Sequence, residues 1–115
     1  MKLPKNLDVL GVKYRISSRK KVKVDHEELD GACFVSEKRI VLKSGADDAD
    51  RLKTLLHEFG HSFIAESGFW QIIKDDTEEI FCELLSHVLF TNLEKFSKLH
   101  QQVNGGDGDG VEQRD

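Results

Sequence analysis

The sequence predicts an α+β fold in which a small antiparallel sheet of three to four strands packs on two main helices. Apolar and polar residues alternate in the first third of the chain, which is typical of half-buried strands. Apolar residues recur every three to four positions in two later segments, which is typical of amphipathic helices. The length of 115 residues suits one domain with a modest core.

The predicted sheet begins with a hairpin at residues 10–24. Val12 and Tyr14 share one face of this segment, and Ser17-Ser18 marks the bend. Asp30-Gly31 is a turn signal, after which residues 32–36 and 39–43 have the composition of two more short strands. These strands complete the sheet.

The first predicted helix follows a break at Ser44-Gly45. Asp47 or Asp48 is a suitable N-cap, since acidic side chains are favoured in a first helical turn. We expect the helix to run to about Glu66 and to end at Ser67-Gly68. Its apolar stripe consists of Leu52, Leu55, Leu56, Phe59 and Phe63.

An apolar connector at residues 69–73 separates the two helices, and we interpret it as core filling rather than as part of a substrate pocket. Asp75, Asp76 or Thr77 can cap the second helix, which we expect to run to about His100. The face predicted to be buried consists of Ile80, Phe81, Leu84, Leu85, Val88 and Leu89.

The composition changes abruptly near the C-terminus. Residues 101–115 are rich in glycine and aspartate and poor in apolar side chains, so we expect a disordered tail. Residues 1–100 form the predicted domain.

Composition also limits the functional classes. A formal net charge of −4 gives no general attraction to nucleic acid, so no nucleic-acid partner is expected. The sequence has neither a run of about 18 apolar residues nor a signal-peptide pattern, so we expect a soluble cytoplasmic protein without a membrane partner. Cys33 and Cys82 fit reduced, partly buried thiols in that compartment. We expect a monomer.

One motif in the first helix indicates chemistry. His57 and His61 are four residues apart, so both imidazoles can reach one metal ion from the same side of a helix. Glu58 points away from that pair, which lets its carboxylate accept a proton from a metal-bound water.

A catalytic zinc needs a third protein ligand. The second helix offers Glu78, Glu79, Glu83 and His87, of which the last three share one side of the helix. His26 and His100 lie in polar surroundings and are expected at the surface.

Five segments together resemble the small ImmA/IrrE-type metallopeptidases, in the minimal form common in bacteriophage and prophage genomes. The resemblance covers about residues 9–96. The segments are Leu10-Gly11-Val12-Lys13-Tyr14, the Gly31 turn, Arg39-Ile40-Val41-Leu42, Thr54-Leu55-Leu56-His57-Glu58-Phe59-Gly60-His61 and Glu78-Glu79-Ile80-Phe81-Cys82-Glu83-Leu84-Leu85.

This resemblance implies a minimal zincin-like domain that holds one Zn²⁺ ion through His57, His61 and Glu79. Glu83 stands where the family has Asn or Asp. It can accept a hydrogen bond from a ligand histidine or compete with Glu79 as the ligand. The resemblance also places residues 39–43 at the sheet edge, where an extended substrate can add as a strand.

The expected function is zinc-dependent endopeptidase activity on an intracellular protein, such as a repressor or another regulator. Zinc would activate its bound water and polarise the scissile carbonyl, while Glu58 moves the proton. Tyr14 and His87 are candidate oxyanion donors, although packing or surface roles are favoured for both. The alternative is a zinc-stabilised regulatory or protein-interaction module that hydrolyses little.

Overall fold

The structure is a computed structural model and describes residues 1–105. Two helices pack on a mixed four-stranded sheet, with a two-stranded sheet beside it, so the predicted α+β class is confirmed. The elements are β1 (Asn6–Val9), β2 (Val12–Arg19), β3 (Val22–Val24), β4 (Glu27–Leu29), β5 (Gly31–Phe34), β6 (Arg39–Lys43), α1 (Asp48–Ser67) and α2 (Asp75–Asn104).

The strand order of the main sheet is β1-β2-β6-β5. The β1–β2 and β5–β6 pairs are antiparallel, but β2 and β6 are parallel, so the sheet is not the wholly antiparallel one that was predicted. The parallel pair arises because β6 lies between β2 and β5: β5 runs opposite to β2, and β6 reverses the direction again before it pairs with β2. As a result β6 is an interior strand and β5 lies at the sheet edge, which corrects the expected edge position of residues 39–43.

The first hairpin turns earlier than predicted. Leu10 and Gly11 have φ angles of 51° and 87°, which are left-handed conformations that suit a two-residue hairpin turn. β2 then runs without interruption through Ser17-Ser18, so the predicted bend at that pair is wrong. Leucine is rarely found at a positive φ, and the sequence therefore gave little warning of this turn.

The core lies on both faces of the main sheet. On one face, buried side chains pack between the sheet and α1, namely Val9, Tyr14, Ile16, Ile40, Leu42 and Leu55. On the other face, Val41 packs with Val22 of the β3–β4 hairpin and with Ala32. Because neighbouring residues of a strand point to opposite faces, β6 contributes to both clusters.

The helix α1 has the predicted ends. Asp47 caps its N-terminus by accepting a hydrogen bond of 2.8 Å from the Asp50 backbone N–H. Gly68 follows its last residue with a φ of 85°, a conformation that glycine adopts without strain. Tyr14 donates a 2.5 Å hydrogen bond from its hydroxyl to Glu66, which ties the sheet to the last turn of α1.

The helices α1 and α2 approach closely at Gly60 and Cys82. A Cβ atom at position 60 would lie 3.0 Å from the Cys82 sulfur, so a larger residue there would push the helices apart. Cys82 and Ser86 are the buried residues of α2. Small side chains on both helices therefore permit the contact that brings the flanks of α1 and α2 together.

The predicted buried face of α2 is largely exposed. Leu85 and Leu89 are half-buried, but the other predicted core residues point to solvent, because Cys82 and Ser86 direct the opposite side of the helix against α1. We call the exposed apolar side chains of this helix the α2 outer face. It consists of Ile80, Phe81, Leu84, Val88, Phe96, Leu99 and Val103.

Two further expectations also differ from the structure. The helix α2 ends at Asn104, so the first four residues of the predicted tail are helical, and residues 106–115 lie outside the described part of the chain. In the connector, Phe69, Trp70 and Ile72 are exposed, so the interpretation as core filling is wrong. Within residues 1–105, neither helix has the length and apolar composition needed to span a bilayer.

Candidate metal centre

The helix α1 places two imidazoles side by side. His57 and His61 are one turn apart, and their Nε2 atoms lie 3.2 Å from each other. Their side chains are 17% and 19% exposed, so packing holds both rings in place.

The helix α2 brings one carboxylate to both imidazoles. Glu79 Oε1 lies 2.7 Å from His57 Nε2, and Glu79 Oε2 lies 3.1 Å from His61 Nε2. Tetrahedral zinc with bonds of about 2.0–2.1 Å separates its ligand atoms by roughly 3.3 Å. The three groups therefore fit around one ion after small adjustments, and together they can hold a metal.

Two other carboxylates contact the remaining ring nitrogens. Glu83 Oε1 lies 3.0 Å from His57 Nδ1, and Glu78 Oε2 lies 2.6 Å from His61 Nδ1. An Nδ1–H that donates to a carboxylate orients the ring and leaves the Nε2 lone pair free for a metal. Glu83 thus occupies the position of a hydrogen-bond acceptor, one of the two roles left open by the sequence.

Glu78 was one of the candidate residues of the second helix, but the sequence assigned no role to it. Its only sequence signal was its position next to Glu79: in the structure these two adjacent residues contact the two different ring nitrogens of His61. That arrangement depends on how α2 crosses α1.

The charge of the cluster favours a cation. Glu78, Glu79 and Glu83 contact two imidazoles, so even two imidazolium ions would leave one carboxylate charge uncompensated. A divalent metal supplies the missing positive charge.

Glu58 lies beside this cluster and is nearly buried, with 9% of its surface exposed. Burial raises the pKa of its carboxyl, while His61 and His57 act in the opposite direction. Glu58 and His57 line both of the clefts that meet at the cluster. The carboxylate is therefore positioned where the two clefts join.

The larger cleft, of about 860 Å³, follows the outer edge of β5. Ala32, Cys33 and Phe34 line it, and Trp70 of the connector borders it as well. The smaller cleft, of about 600 Å³, continues on the other side of His57 towards Lys43. Together the clefts form a groove across the candidate metal centre.

The other candidate residues have different surroundings. Tyr14 is fully buried and donates its hydroxyl hydrogen to Glu66, so it is not available to stabilise an oxyanion. His87 is exposed and lines the smaller cleft. His26 and His100 are exposed, as expected.

Cys33 is half-buried, as predicted, whereas Cys82 is fully buried. Cys33 and Cys82 are free thiols, and burial raises the pKa of each to about 12. A thiol with so high a pKa is a poor nucleophile, which argues against cysteine chemistry in the groove.

A charged contact near the far end of the groove makes stability depend on pH. Hydrogen bonds from Lys38 and Tyr14 lower the pKa of the Glu66 carboxyl. A lowered folded-state pKa contributes stability above the unfolded value of about 4.3, and that contribution is lost as the pH falls through the folded value. We therefore expect Glu66→Gln to destabilise the protein at pH 7 and much less at pH 3.

Urea unfolding at both pH values measures this effect as the difference in free energy of unfolding between wild type and variant. Lys38→Met serves as the control, because it removes the first cause of the lowered pKa and should reduce the pH-dependent difference. An equal difference at pH 7 and pH 3 would contradict the prediction.

Comparisons of the chain with protein-family models, with curated proteins and with solved structures each found no match. The resemblance to ImmA/IrrE-type peptidases therefore stays a prediction from the residues. The geometry of His57, His61 and Glu79 does not depend on that resemblance. The structure alone shows that these three groups can hold a metal ion.

Proposed function

We propose that the chain is a zinc-dependent endopeptidase that hydrolyses peptide bonds of an intracellular protein, such as a repressor or another regulator. The observation that carries the proposal is the convergence of His57, His61 and Glu79 beside the nearly buried Glu58. Two imidazole nitrogens and one carboxylate oxygen form the protein ligand set of several catalytic zinc sites.

When bound, zinc supplies a Lewis acid that makes water acidic near neutral pH and polarises a peptide carbonyl. The protein supplies the proton transfer. Glu58 accepts a proton from the attacking water and donates it to the leaving amine, so the peptide bond is hydrolysed with one water consumed. Its place at the junction of the two clefts supports this role.

The edge strand β5 is the proposed substrate-binding element. Among the described residues its only strand partner is β6, so its other edge can pair with an extended peptide. Its residues Ala32, Cys33 and Phe34 line the larger cleft, which leads to Glu58. Main-chain pairing of this kind binds with little preference for sequence, and Trp70 adds an apolar contact at the border of the cleft.

The α2 outer face favours a second candidate function. Large exposed apolar surfaces mark protein interaction sites. A zinc-stabilised interaction module would use the same His57, His61 and Glu79 ligands for folding and would not require turnover.

Metal-stripped protein reloaded with one equivalent of zinc distinguishes the two candidates. We expect denatured casein and a mixed peptide library to be cleaved only after reloading, with fragments identified by mass spectrometry. His57→Ala is the matched control and should neither bind zinc stoichiometrically nor cleave. A zinc-dependent increase in melting temperature without fragments would support the interaction module and contradict the peptidase.

A further inference from the structure

Within residues 1–105, the α2 outer face is a large apolar surface that contributes no ligand to the candidate metal centre. Its seven apolar side chains are between 39% and 80% exposed. They lie within an arc of about 160° at 100° per residue. Their exposed parts amount to roughly 800 Å² of surface, similar to the area that each partner buries in a standard protein interface.

The order of these residues is nearly symmetric about Thr91 and Asn92. Ile80, Leu84 and Val88 precede that point at spacings of four residues, and Phe96, Leu99 and Val103 follow it at spacings of three and four. If two copies of α2 lay antiparallel about an axis there, Leu84 of one copy would face Leu99 of the other. A twofold interface requires such self-complementarity.

The helix dipoles support the same direction. An antiparallel pair sets the positive end of each helix dipole beside the negative end of its partner's dipole, whereas a parallel pair places like ends together.

We propose that the α2 outer face is the interface of a homodimer, with two α2 helices packed antiparallel about a twofold axis near Thr91 and Asn92. This differs from the monomer expected from the sequence. The proposal does not depend on the proposed peptidase activity, because Glu79 and Glu83 lie on another side of α2, where they contact His57. Leu84 also lines the smaller cleft, so the interface is tested by association rather than by cleavage.

Sedimentation velocity over a range of protein concentrations tests the interface. The wild type should sediment as a dimer at micromolar concentration, and Leu84→Glu should raise the dissociation constant by about 100-fold or more, because the dimer would bury an unpaired charge. Leu10→Glu is the matched control, since Leu10 is an exposed leucine on the β1–β2 turn. It should remain dimeric, and a cooperative thermal transition shows that each variant is folded.

Disulfide formation between engineered cysteines tests whether the two α2 helices run antiparallel. Leu99→Cys should not form a disulfide with itself but should form one when mixed with Leu84→Cys, with the wild type as the control for Cys33 and Cys82. A wild type that stays monomeric at several hundred micromolar would overturn the proposal, and so would a Leu99→Cys protein that links to itself.

Discussion

Replacing Glu58 by glutamine should lower the rate of peptide cleavage by about 10²–10⁴-fold, the usual contribution of a general base. Glutamine keeps the size and polarity of the side chain in its nearly buried position, but its amide does not accept the proton of the attacking water. Zinc affinity should stay nearly unchanged, since none of the three converging ligand atoms belongs to Glu58.

Single-turnover cleavage and zinc competition with a chromogenic chelator measure these two quantities on the same preparation. Glu37→Gln is a suitable control, because Glu37 contacts Arg39 and lies outside the groove lining. A Glu58→Gln protein that binds zinc and cleaves at the wild-type rate would exclude Glu58 as the base.

Replacing Glu79 by alanine should weaken zinc binding by about 10²–10³-fold, since one of four ligands would be lost from a total binding free energy of roughly 10–16 kcal/mol. Glu83→Ala should cost only about tenfold, because Glu83 contacts the Nδ1 atom of His57 rather than the metal position. Glu78→Ala should resemble Glu83→Ala for the equivalent reason at His61.

The zinc affinities of the three alanine variants distinguish a site in which Glu79 is the third ligand from one in which Glu83 is. If Glu83 were the ligand, its alanine variant would lose more affinity than Glu79→Ala. Circular dichroism of the metal-free variants checks that each helix content is preserved, so that an affinity change reports on the site.

The elements of the fold were predicted where local signals are strong. The Asp47 cap and the Gly68 termination of α1 depend on hydrogen bonds and backbone angles within a few residues, and both are confirmed. The turn at Leu10 and Gly11 was missed because its leucine adopts a conformation that is uncommon for a side chain with a Cβ atom.

The burial of α2 was predicted wrongly because an apolar stripe does not identify its own partner. The sequence pattern favours burial of Ile80 and Leu84, whereas the contact between Gly60 and Cys82 places a side with smaller residues against α1. Close backbone approach favours the small residues, and the larger apolar ones remain at the surface.

By itself, the sequence determined the α+β class and the placement of His57, Glu58 and His61 on one helix. Their relative directions follow from the helical repeat within a single turn. The tertiary structure decided everything that depends on distant segments. The crossing of α1 and α2 directs Glu79 to both Nε2 atoms and Glu83 to an Nδ1 atom. The insertion of β6 between β2 and β5 makes β5 the edge beside the groove, because strand order depends on pairing between residues far apart in the chain.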